Sequence, residues 1–223
     1  MGPVIGEILP LALGIAISPI PIIAAILMLL SPKARSTGVG FLLGWVLGIV
    51  LVVVVVTLLS ALIPAEDPDA AKPVAGVIKI ILGVLLLLLA LKQWRSRPNG
   101  DTEPALPKWM AAIDQMTPGR GLILGFLLSA LNPKNLLMGI GAGVAIGASG
   151  SNAGESIVAI IVFTLIAAST VAVPVIAYLI ASAKMAAPLE VLRKWLVHNN
   201  ATVMTVLLLV IGVVVIGKGL GNF

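Results

Sequence analysis

Apolar positions along this chain come in runs too long for the helices of a soluble domain. A window of about 19 residues separates six of them: Val4–Leu30, Thr37–Ile63, Pro73–Trp94, Gly119–Gly147, Glu155–Ala183 and Asn199–Lys218. A straight transmembrane helix needs about 20 residues. Several of these runs are longer, which predicts tilt or interruption. Polar positions collect between the runs. Ser31–Ser36 and Lys184–Asn200 read as basic connections, and Pro64–Pro73 carries Glu66, Asp67 and Asp69 against the single base Lys72. The longest polar stretch, Lys92–Arg120, divides into a flexible linker over Arg95–Glu103 and a short amphipathic helix over Leu106–Met116. That helix places Trp109, Ala112, Ile113 and Met116 on one face, which suits the membrane interface. The pattern predicts an all-α polytopic membrane protein of six transmembrane helices. It divides into a first three-helix repeat (1–94), a cytoplasmic linker (95–118) and a second three-helix repeat (119–223).

Two runs break at their centres. The fourth holds Asn132-Pro133-Lys134 in the middle of Gly121–Gly147. Proline cannot donate to the carbonyl four residues back, here that of Ser129, and it drives the preceding residue out of the helical region. Asn followed by Pro is also a helix-start signal, with Asn as N-cap and Pro at the first helical position. The first run repeats the device at Ser18-Pro19-Ile20-Pro21, which frees the carbonyls of Ile15 and Ile17. Both runs therefore read as pairs of half-helices meeting near the membrane midplane. Lys134 lies about 13 residues, or roughly 20 Å, from either end of its run, too far to reach the surface. A lysine at that depth costs roughly 2.5–3.5 kcal/mol on insertion scales, so it needs a water-filled cavity, a partner or a ligand.

Composition narrows the class. The chain has 223 residues, 60% hydrophobic and 10% charged, with a mean hydropathy of +1.18. A soluble domain carries about 25% charged residues, so lipid must be the solvent. The first run has no early basic region and no small-residue cleavage site, and is expected to be a retained span. With no cysteine, disulfides and thiolate metal sites are excluded. The lone histidine, His198, has no second ligand type beside it, so no metal and no cofactor are expected. A net charge of +5 without a basic soluble region suits an anionic membrane and gives no argument for nucleic acid. Paired carboxylates, a Ser/His arrangement and a metal cluster are all missing from the membrane-facing sequence, so an enzyme is not expected.

Lys and Arg crowd the first, third and fifth connections. The positive-inside rule then places both termini outside. Three spans, a linker and three spans suggest a duplication whose second half is inverted. Each half opens with a broken helix, and the closing runs Ile80-Ile81-Leu82-Gly83-Val84 and Val210-Ile211-Gly212-Val213-Val214 resemble each other. Broken helices at corresponding places in inverted halves point to a transporter site at the midplane. The candidate substrate-binding residues are Ser18, Pro19, Pro21, Ser129, Asn132, Pro133, Lys134 and Asn135. Helix N-termini and an ammonium together favour an anionic group, and no carboxylate lies deep enough to neutralise Lys134.

Other polar positions have plainer readings. Gly40, Gly44 and Gly48 share one helical stripe, which suits close intramolecular helix packing, with a homodimer contact as the sharper alternative. Lys79 is expected to snorkel to the interface, with a pathway role as the alternative. Thr164, Ser169 and Thr170 would bond their own backbone or a neighbour, or line a polar path.

At these residues the chain resembles a known group. Leu131-Asn132-Pro133-Lys134 is similar to the Asn-Pro-Lys signature of the lysine-exporter superfamily, and Ser18–Pro21 stands where those proteins have a Pro-Gly-Pro type element. The run Ile15–Gly48 resembles the branch named for glycolipid-addressing proteins, which includes the sulfolipid-addressing Sap proteins. The resemblance covers essentially the whole chain. It implies a bacterial plasma-membrane protein of two inverted three-helix halves that takes part in exporting envelope glycolipids. The partners it implies are membrane lipids and an anionic lipid substrate. An exporter of small amino acids and a non-transporting scaffold for a larger lipid exporter remain as alternatives.

Overall fold

The computed structural model describes residues 1–62, 73–97, 113 and 115–223. The acidic stretch Glu66–Asp69 and most of the expected amphipathic helix Leu106–Met116 lie outside the described residues. Those that are described form helices and short connections. They are α1 (Gly2–Ala16), α2 (Pro19–Leu29), α3 (Ala34–Ala61), α4 (Pro73–Arg95), α5 (Pro118–Ala130), α6 (Pro133–Gly147) and α7 (Ala153–Leu220).

Both expected breaks are present. Ser18 leaves the helix at φ −120°, ψ 96° and Pro19 starts α2, with a bend of 50° between α1 and α2. Asn132 sits at φ −66°, ψ 121° ahead of Pro133, and α5 and α6 meet at 64°. Four helical stretches are long and apolar enough to cross a membrane: α3, α4, and the two arms of α7, Ala153–Ser182 and Lys184–Leu220. Counting each bent pair as one span raises the number to six.

One expectation is corrected. Lys184–Asn200 is not a loop. It is helical throughout and belongs to the second of the two helices that make up α7, which meet at a kink at Ala181 (φ −139°, ψ 53°). Charge alone had marked this stretch as a connection, but its charges support a helix. Arg193 donates to Glu190 three residues back at 2.8 and 2.6 Å, and Lys194 stands 3.9 Å from the same carboxylate, the spacing at which helical side chains meet. The second arm has 37 residues, about 55 Å at 1.5 Å per residue. That exceeds the roughly 30 Å hydrocarbon core, so part of it projects beyond lipid.

Glycine sets the packing. A Cβ on Gly40, Gly44 or Gly48 would meet the Pro118 carbonyl, the Leu122 carbonyl or the Ser129 hydroxyl, so the α3 stripe lies on α5. The answering stripe is Gly121 and Gly125, set against the Thr37 and Phe41 carbonyls. Further along, Gly139, Gly143 and Gly147 of α6 meet Val52, Val56 and Ser60. The pairs rise together in number, so α3 runs parallel to the bent α5–α6 pair along its whole length. On the other side α4 runs antiparallel to the second arm of α7, with Gly76 near Gly219 and Gly83 near Gly212. Between these layers sits a core that includes Ile8, Ile26, Phe41, Trp45, Met138 and Phe163.

Candidate functional site at the paired helix breaks

The end of α1 is a cluster of carbonyls without ordinary helical partners. Pro19 has no N–H for the Ile15 carbonyl and Pro21 none for Ile17. The Ser18 N–H turns to the Ala16 carbonyl at 2.9 Å, which leaves the Gly14 carbonyl open as well. The last carbonyls of a helix carry about half a negative charge. Into this cluster α6 sends Lys134. Its Nζ donates to the Gly14 carbonyl at 2.5 Å and to the Ile17 carbonyl at 3.3 Å. Thr170, from the first arm of α7, donates its hydroxyl to the Ala16 carbonyl at 2.5 Å. Lys134 is 3% exposed, and no carboxylate among the described residues pairs with it. The backbone of α1 therefore serves as its counter-charge.

The second break is closed from its own side. The Asn132 side chain accepts from the Lys134 N–H at 3.1 Å, a standard N-cap bond. The Asn135 Nδ2 donates to the Leu128 carbonyl at 3.0 Å, and the Ser129 hydroxyl to its own backbone at Phe126, 3.0 Å away. Asn135 is 1% exposed, and its Oδ1 has no hydrogen-bond partner among the described residues. A buried acceptor left open costs about 1–3 kcal/mol, so this oxygen is a ready receptor for a hydroxyl or N–H.

The expected site residues are thus brought together in part. Lys134 joins α6 to the end of α1 beside Ser18, Pro19 and Pro21, while Asn132, Pro133, Ser129 and Asn135 arrange the α5–α6 turn around it. The Lys134 ammonium faces the C-terminus of α1 and not the N-termini of α2 and α6. Those N-termini also offer few amides. Pro19 and Pro21 remove two of the first three at α2, while at α6 Pro133 has none and the Lys134 N–H is capped.

The hydroxyls divide three ways: Ser169 bonds its own backbone at Ile166, 2.7 Å away, Thr170 bonds α1, and Thr164 is buried with its oxygen unpartnered among the described residues.

A second polar cluster went unread in the sequence. At the end of the bundle where α1 begins, Lys79 donates to Glu7 at 2.9 Å and reaches Asn222 at 3.5 Å. Lys218 donates to the Gly6 carbonyl at 2.7 Å. Lys79 is therefore ion-paired at this end of the bundle. The signal was available, since Glu7 lies within one turn and Lys79 within two turns of the start of runs that begin on the same predicted face.

Among the described residues no group of three or more His, Cys, Asp or Glu could hold a metal ion. The family model described as Sap, sulfolipid-1-addressing protein, matches residues 8–221. No curated protein and no solved structure matches the chain.

Proposed function

The chain belongs to the family of Sap, sulfolipid-1-addressing protein, and on that premise we propose that it exports an anionic envelope lipid across the plasma membrane. The family and the apolar helices make it a membrane protein involved in lipid handling. The transport step is our reading, and one observation carries it. A buried lysine bridges two broken helices, held by backbone carbonyls and, among the described residues, paired with no carboxylate. Such a cation is exchangeable. An anionic headgroup arriving at the break competes for Lys134 with the Gly14 and Ile17 carbonyls, and the open Asn135 Oδ1 accepts a hydroxyl from the same ligand.

The architecture in this reading is six spans in two inverted halves, with both termini outside. The parallel run of α3 beside α5–α6 supports counting the bent pair as one span, since α3 is itself long enough to cross. The packing supports the two-fold relation. The second span lies against the fourth through Gly48 and Ser129, as the fifth lies against the first through Thr170 and Ala16. Broken helices at a repeat interface are where alternating access is centred in secondary transporters.

The test compares surface-exposed lipids of cells with the intact protein, without it, and with Lys134→Met, with membrane abundance measured in parallel. Loss of one anionic lipid from the surface in both the deletion and an abundant Lys134→Met protein is the expected result. Normal export by Lys134→Met would remove Lys134 from the pathway. It would favour the scaffold reading, in which the lysine is a pin between α1 and α6.

A further inference from the structure

An open surface groove at the far end of α4 is lined, among the described residues, by Leu88, Leu91, Lys92, Arg95 and Ser96 and has a volume of about 350 Å³. We propose that it is a loading site for an anionic lipid of the inner leaflet, taken up before the lipid reaches the helix breaks. The inference rests on the lipid-export reading and adds the place of entry.

The depth of the groove suits an amphiphile. Arg97 stacks on the Trp94 ring at 3.6 Å, and a tryptophan at the end of a span marks the headgroup level. Lys92 and Arg95 flank that ring in sequence. Leu88 and Leu91 lie about one turn deeper, or roughly 5 Å, where acyl chains begin. The same face continues inward as Leu85, Val84, Ile81 and Val77, all exposed, while the opposite face, Lys79, Leu82, Leu86 and Ala90, is buried in the bundle. One side of α4 is thus an apolar track ending in two cations.

Among the described residues neither Lys92 nor Arg95 has an acidic partner, whereas Lys79 on the same helix is paired with Glu7. Both complement the negative end of α4, and both attract an anionic membrane surface. Two on one helical face, over leucines, fit a headgroup with a single sulfate or phosphate ester and an attached chain.

Trp94 does not line the groove, but it stands next to Arg95 in the chain and is exposed, so it reports on a lipid bound beside it. Purified full-length protein is placed in phosphatidylcholine vesicles containing either a brominated sulfated galactolipid or the same lipid without its sulfate. Quenching is measured against the Trp94→Phe protein so that only the Trp94 signal counts. The sulfated lipid should quench Trp94 at roughly tenfold lower mole fraction than the neutral one, and Lys92→Gln/Arg95→Gln should abolish that difference. Equal quenching by the two lipids, or a difference that survives in the double variant, overturns the proposal. So does full displacement by free sulfate at constant ionic strength, which would make the site one for a soluble anion. The measurement needs no transport. If Lys134→Met keeps the Trp94 preference yet exports normally, the midplane reading fails and the loading site stands.

Discussion

Lys134 and Gly14 stand 120 positions apart in the chain and are joined by a 2.5 Å hydrogen bond inside the bundle. The magnitudes account for the arrangement. An ammonium at this depth costs roughly 2.5–3.5 kcal/mol, and a hydrogen bond to a charged group contributes about 1.5–3 kcal/mol. Two such bonds, to Gly14 and Ile17, together with the negative end of α1, offset that cost.

Replacing Lys134 by Met keeps the length of the side chain and removes the donor. The Gly14 and Ile17 carbonyls are then left buried and open, at about 1–3 kcal/mol each. We expect a fall in the thermal midpoint of the detergent-purified protein together with lost export. Lys134→Arg keeps the charge but not the reach of a single Nζ into the gap, and is expected to fold near normally and export poorly. An Arg variant that exports as well as the parent would show that charge alone suffices at this point.

Thr170 tests the same break from the other side. Thr170→Val removes the hydroxyl bonded to the Ala16 carbonyl but keeps the shape, and Ala16 still receives the Ser18 N–H at 2.9 Å. The expected loss is therefore small, about 1 kcal/mol. Ser169→Ala, whose hydroxyl only folds back on Ile166, should change stability by less. Equal effects in thermal unfolding would count against a special role for the α1 end.

The breaks were legible in the sequence because proline chemistry is local: Pro19 and Pro133 decide their own hydrogen bonds whatever surrounds them. The partner of Lys134 was not. A search for a counter-ion looks among side chains, and here the counter-charge is backbone exposed by a different break. The glycine stripe shows the same division. Spacing identified the close-packing face of α3, and its use inside the molecule is what the structure has. Its partner was written in the matching four-residue step from Gly121 to Gly125. The helical state of Lys184–Asn200 is not visible in its charge, because Glu190, Arg193 and Lys194 read as a polar connection although their spacing is that of helical ion pairs.

The α3–α5 contact predicts a sharp contrast among glycines. A methyl group at Gly44 or Gly125 would run into a carbonyl of the opposing helix, which cannot swing aside as a side chain can. Gly44→Ala and Gly125→Ala should each destabilise by about 1–3 kcal/mol or more. Gly217 has nothing within 4 Å of where its Cβ would stand, and alanine is the better helix former by about 1 kcal/mol. Gly217→Ala should therefore be neutral or slightly stabilising. Similar thermal midpoints for Gly44→Ala and Gly217→Ala would mean that α3 and α5 do not pack as described.

The Glu7–Lys79 pair ties the start of α1 to α4, and it is asymmetric: the lysine side chain is 9% exposed and the carboxylate 33%. Removing one partner of a fully buried pair costs about 3–5 kcal/mol, because the other charge is stranded. Here the outcome depends on which partner goes. Glu7→Gln strands the buried lysine and should cost roughly 1–3 kcal/mol, below the full figure because the pair is partly wet. Lys79→Met strands the wetter carboxylate, which still has water and the nearby Lys218, whose charge Glu7 also influences, so its cost should be smaller. The double variant strands nothing and should unfold closer to the parent than Glu7→Gln does. A double-mutant cycle measures the difference, with an expected coupling of about 1 kcal/mol or more. A coupling near zero would make the contact incidental and would leave α1 without an electrostatic tie at this end.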